Sequence, residues 1–174
     1  ISLMLFRARP FLAFLVLFAT KLPGALDQQK VGVLLQNSFD RVDPLSYAPL
    51  VTREPLAGGP SDRRVLLQIG VGDTAVPNLS AHLHARALGV ELLQPAPRAI
   101  AGLLPAVSPH AGSAIVEFDF GIEPLPGLQA LPATKDNEVH DGTRRLAAAK
   151  AQLDLFFADD GPVVHTCDGV GDPE

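Results

Sequence analysis

The stretch Arg64–Asn78, RVLLQIGVGDTAVPN, decides how the rest of the chain is read. Val65 to Ile69 is apolar apart from Gln68, the composition of a strand covered on both faces. It runs into the Gly-rich turn Gly70-Val71-Gly72 and delivers one carboxylate, Asp73, at its end, with Val76-Pro77 close behind. Ligands in open parallel sheets sit beyond the C-terminal strand ends, so an acid at that place is a candidate functional group.

Downstream, Asn78 is expected to cap a helix over Leu79–Leu88, with Gly89 closing it in the left-handed conformation. Val90–Leu93 reads as a short extended piece and Pro95–Gly112 as a loop. Ala114–Phe120, AIVEFDF, is the second strand. A long Pro-containing loop follows over Gly121–Val139. Thr143–Phe157 is expected to be an amphipathic helix, with Leu146, Ala149, Leu153 and Phe157 along one side. The order strand, helix, strand, loop, helix predicts a βαβ unit, two parallel strands joined by a right-handed crossover. His140, in the loop leaving the second strand, is therefore expected at the same sheet edge as Asp73. A carboxylate bonded to the far ring nitrogen of a histidine fixes its tautomer and stabilises the cation it becomes when it acts as a base. Asp73 and His140 are the candidate catalytic residues on that ground.

Upstream, a short element at Leu3–Phe6 precedes a helix over Pro10–Lys21, ended by Pro23-Gly24. This helix is apolar all round and is expected to be buried on several sides. Asp27–Phe39 has Val31, Leu34, Leu35 and Phe39 spaced for one face of a second helix, and Leu45–Pro60 reads as a loop. The organisation is then a helical, cap-like or sheet-flanking segment at 1–60, an α/β core at 61–158 and a polar tail at 159–174. An alternative attaches to the first segment. Read from Met4, Arg7 and Arg9 before the apolar run Phe11–Ala19 have the outline of an export signal, although no small-x-small cleavage site follows. The run is too short for a membrane span, which takes about 20 residues.

The 174 residues are 47% hydrophobic and 19% charged, the balance of a globular domain. The net charge is -5 and no basic run exceeds Arg63-Arg64 or Arg144-Arg145, so no nucleic-acid partner is expected. The single cysteine, Cys167, gives no intramolecular disulfide framework. His82 and His84, two apart on a helix, face different ways and make a poor metal pair; both are expected to be exposed. His165 and Cys167 in the tail are read as incidental neighbours, and Glu117 and Asp119 as marking a sheet edge or the rim of the site. No cofactor is expected.

What the pattern lacks is a nucleophile. There is no G-x-S-x-G, and none of Ser2, Ser38, Ser46, Ser61, Ser80, Ser108 and Ser113 falls on a sharp strand-to-helix turn. The nucleophile is expected upstream of Ile1.

The pattern G-V-G-D-T-A-V-P, Gly70–Pro77, after an apolar strand resembles the catalytic-acid turn of the α/β-hydrolase superfamily. N-E-V-H-D-G-T-R-R around His140 is similar to that superfamily's histidine loop, which likewise precedes a final helix packed on the sheet. The resemblance spans Arg63–Phe157. It implies a partial α/β-hydrolase fold: the C-terminal strands of a mostly parallel sheet with flanking helices. It further implies ester hydrolysis or acyl transfer with Asp73 as the orienting acid and His140 as base and acid. The substrate would be a small-molecule ester or lipid, and the partner the missing N-terminal half of the same enzyme. Secreted bacterial lipase- or esterase-like members look closest, which favours a secreted or cell-envelope location. The nucleophile elbow and the oxyanion loop are absent, so the chain alone is expected to be inactive. An expectation of a different class is a signal-anchored, non-catalytic envelope protein whose α/β core is structural or binds a partner.

Overall fold

A computed structural model describes residues 2–122, 133 and 135–171; most of the expected loop Gly121–Val139, with Pro124, Pro126 and Pro132, lies outside them. Five helices come first. They are α1 (Ser2–Arg7), then a 3₁₀ turn at Arg9–Phe11, α2 (Leu12–Lys21), α3 (Ala25–Phe39), α4 (Pro44–Tyr47) and α5 (Pro49–Thr52). Pro10 stands in the first turn of the new element, where its missing N–H costs no bond, and so separates α1 from α2. The expected loop Leu45–Pro60 is helical in its first half, because Asp43 caps α4 by accepting from the Leu45 N–H at 3.0 Å.

The core follows: β1 (Leu66–Gly70), α6 (Asn78–Leu88), β2 (Glu91–Gln94), β3 (Pro105–Val107), β4 (Ala114–Phe118), α7 (Val139–Thr143) and α8 (Ala147–Phe157). The four strands form one all-parallel sheet in the order β1-β4-β2-β3, with helices on both faces, so the class is α/β. β1 and β4 are parallel neighbours, with Leu66 opposite Ala114 and Gly70 opposite Phe118. The connection is richer than a single βαβ unit. α6 leads to β2, and β4 returns to lie between β1 and β2. β3 falls inside the segment Pro95–Gly112 read as a loop. It opens on Pro105 at the sheet edge, where a proline costs no ladder bond.

Alternation sorts the two faces. Val65, Leu67 and Ile69 of the β1 segment pack with Leu92, Ile115, Ala85 and Leu88 under α6. Ala114, Val116 and Phe118 pack with Ala148 and Ala149 of α8 on the other face. Gly89 ends α6 at φ 71°, the left-handed cap the sequence suggests.

Four expectations are corrected. The helix over Thr143–Phe157 is two helices, broken at Arg144–Leu146, and the buried residues of α8 are Ala148, Ala149 and Gln152, while Phe157 is 76% exposed. The tail is not merely polar. Val163 is fully buried and pairs with His110, and the Gly171 carbonyl accepts from the Asp119 N–H at 2.7 Å. β4, which carries Glu117, is an interior strand and not an edge. The apolar helix α2 is not covered on all sides, for Phe14, Val16 and Leu17 are exposed and only Phe18 is buried.

Candidate functional site

β1 ends at Gly70, and the turn that follows aims Asp73 back over the sheet edge. The Asp73 N–H bonds the Gly70 carbonyl at 3.3 Å. Its Oδ1 accepts from the N–H groups of Ala75 and Val76 at 2.7 and 2.9 Å. Those two bonds fix the carboxylate plane and leave Oδ2 for a partner. That partner is His140, whose Nδ1 lies 2.8 Å away across 67 positions of chain. The carboxylate has no hydrogen to give, so Nδ1 donates and the lone pair of the neutral ring is on Nε2. The histidine side chain is 39% exposed and the aspartate 10%.

His140 stands on α7, a helical turn and not an open loop. α7 lies directly on the end of β1. A Cβ at Gly70 would sit 2.4 Å from Val139 Cγ1 and 2.5 Å from Thr143 Oγ1, so only glycine allows this approach. Val139 and Thr143 are both buried there. The segment just before α7 is fastened to the acid turn as well: Asn137 Nδ2 donates to the Gly72 carbonyl at 2.9 Å. The Arg9 N–H donates to the Thr74 carbonyl at 2.8 Å, which ties the N-terminal helices to the same turn.

Asn78 is not the cap of α6; Pro77 holds that place and has no side-chain acceptor to offer. The Asn78 amide turns inward. Its Nδ2 donates to the Gly70 carbonyl at 2.8 Å, and its Oδ1 accepts from the Gly72 N–H at 2.8 Å. His82 and Glu117 are also relocated. His82 is buried, with Nε2 2.9 Å from Glu117 Oε1. Arg98 donates to both oxygens of Glu117, Nε to Oε2 at 2.9 Å and Nη2 to Oε1 at 2.8 Å. Burial pushes the Glu117 carboxyl up, but the hydrogen bonds and charges of His82 and Arg98 outweigh it and hold the group below its usual range. His84 is half-buried on α6. Burial lowers His165, a backbone bond at Cys167 partly offsetting it, and the His165 N–H donates to Ser108 Oγ at 2.8 Å. Asp119 lies just past β4, its carboxylate accepting from the Gly121 N–H at 3.0 Å.

Asn137 and Arg98 escaped sequence reasoning, which read Asn78 as a helix cap and Glu117 as marking a sheet edge or the rim of the site. The one available signal was Pro77-Asn78 after the acid turn, which suits a cap as well as a clamp.

An apolar cavity of about 680 Å³ lies between α4–α5, α6 and β1. Met4, Tyr47, Val51, Leu67, Val76 and Leu83 are among its walls. Val76 is also a donor to Asp73, so the cavity reaches the flank of the acid turn. The chain matches no family model, no curated protein and no solved structure.

Proposed function

We propose that this chain supplies the acid and the histidine of a Ser-Asp-His triad in a serine hydrolase of the α/β-hydrolase fold that cleaves carboxylic esters or lipids. One observation carries the reading: a buried carboxylate, fixed by two backbone N–H groups, bonds Nδ1 of a histidine whose ring stays exposed. A paired histidine of this kind can take a proton at Nε2 from an attacking hydroxyl and return it to the leaving alcohol. The carboxylate stabilises the imidazolium between those two steps. Among the described residues no serine bonds the His140 ring, and the proposal includes a nucleophile from outside these 174 residues. The apolar cavity beside the acid turn suits an apolar acyl or alkyl group.

The test joins this chain to the segment encoded directly upstream and measures hydrolysis of a chromogenic short-chain ester. Activity is expected, with Asp73→Asn lowering kcat by about 10⁴ and His140→Ala by about 10⁶. An upstream segment without a strand-borne G-x-S-x-G, or activity indifferent to His140→Ala, would sink the reading.

A further inference from the structure

The Gly72 backbone is held at both its N–H and its carbonyl by side-chain amides. Its N–H donates to Asn78 Oδ1 at 2.8 Å, and its carbonyl accepts from Asn137 Nδ2 at 2.9 Å. Asn78 opens α6, Asn137 lies three positions before His140, and Asp73 is the next residue after Gly72. Gly72 itself has φ 83°, a conformation that other residues adopt only at a cost. The two peptide groups flanking Gly72, which must hold their place for Asp73 to meet His140, are thus clamped one from the acid's side and one from the histidine's.

The Asn78 amide has a required orientation. Its oxygen must face the Gly72 N–H and its nitrogen the Gly70 carbonyl. A third group enforces this. Arg98 Nη2 donates to the same Oδ1 at 3.1 Å, so a flipped amide would set its NH₂ against a guanidinium. Arg98 is in turn seated on Glu117, inside the sheet, by two short bonds, with His82 occupying a further position on the carboxylate. Burying such an ion pair seldom adds stability over an apolar pair of the same volume, so a positional use accounts for it better than a stabilising one.

We infer that Asn78 is a positioning residue for the Asp73–His140 pair, and that the buried Glu117–Arg98 pair holds the Asn78 amide in the orientation this requires. The network runs without a gap from the interior of β4 to the acid turn: Glu117, Arg98, Asn78, Gly72, Asp73. It rests on the reading of Asp73 and His140 as a working pair. It adds that the pair is aligned from beneath, through the sheet, as well as by the local turn.

The experiment uses the full 174-residue chain, labelled with ¹⁵N, and follows the His140 Nδ1 proton, which a carboxylate bond shifts far downfield and shields from exchange. His140→Gln assigns the signal by removing it. Asn78→Ala is expected to speed its exchange with water about tenfold, the effect of losing one buried hydrogen-bond partner. Glu117→Gln, which keeps the shape but removes the charge that seats Arg98, is expected to act in the same direction. Asn78→Asp keeps the acceptor and loses the donor to Gly70, so a smaller acceleration is expected; it carries the test if the alanine variant does not fold. Leu92→Ala, a cavity in the same core, controls for general loosening and is expected to lower Tm without changing exchange. Unchanged exchange in the Asn78 variants, or equal acceleration in Leu92→Ala, overturns the inference. The proton signal exists whether or not any ester is cleaved, so an upstream segment without a nucleophile ends the functional reading and leaves this measurement standing.

Discussion

Gly70 shows how one missing side chain places a catalytic candidate. Gly70→Ala forces its methyl against Val139 and Thr143, and α7 must move away from β1. Overpacking of this kind costs about 1–3 kcal/mol, so a lower Tm is expected together with loss of the His140 Nδ1 signal. Glu117 makes a different prediction. Its folded pKa lies below the ordinary value of 4.5, so its contribution to stability is full above that pH. The contribution is lost as pH falls below 4.5 through the folded value, and Glu117→Gln is expected to flatten this part of a urea-midpoint-against-pH curve. A curve unchanged by the substitution would show that other carboxylates set the acid limb. The placement of Asp73 and His140 at one end of the sheet was legible in the sequence because each follows a strand that its apolar residues identify. Glu117 was not. Alternation gave its face, but its partners His82 and Arg98 lie 35 and 19 positions away, and no local pattern records that.

At the scale of elements, the longer regular pieces and the short extended piece that forms β2 were legible, and β3, α4 and α5 were not. β1, β4, α3 and α6 have enough residues for an apolar repeat to accumulate. β2 and β3 have 4 and 3 residues, and their register comes from neighbours already in the sheet. The break between α7 and α8 was invisible because the spacing of Leu146, Ala149 and Leu153 runs across it. Spacing counts positions, whereas the break lies in hydrogen bonds: Arg145 and Leu146 both donate to the Gly142 carbonyl. α8 also holds the tail. Gln152 is fully buried, accepts from Gln68 Nε2 at 2.9 Å and donates to the Val164 carbonyl at 2.6 Å. Gln152→Ala removes the donor to the Val164 carbonyl and leaves Gln68 Nε2 its bond to the Ala149 carbonyl, and it is expected to cost about 1–3 kcal/mol. Limited proteolysis reads the location of the damage, with new cuts expected in residues 159–171 before any in α6. Cuts appearing first elsewhere would mean that α8 does not anchor the tail.

Taken whole, the described molecule carries a group of exposed large apolar side chains on its N-terminal helices. Phe14, Val16, Leu17, Leu26, Val33 and Leu34 of α2 and α3 all face outward. Contiguous apolar surface drives association, so the isolated chain is expected to self-associate and to bind an apolar dye. Light scattering after size exclusion checks this, and a monodisperse monomer that ignores the dye contradicts it. The same preparation is expected to show no hydrolysis of a chromogenic ester. Among the described residues no helix is long and apolar enough to cross a membrane. The strand order β1-β4-β2-β3 has one more consequence, in time and not in space. β1 is made early, yet it has no neighbour in the sheet until β4 arrives, whereas β2 can pair with β3 before that. The two pairings that join β1 to the β2–β3 pair both wait for that one late strand, and such long-range closure is slow. While the chain emerges from a ribosome, its first apolar strand therefore stands unpaired for the whole interval between Gly70 and Ala114, and the burden of keeping it soluble falls on α6 and on whatever chaperone is at hand.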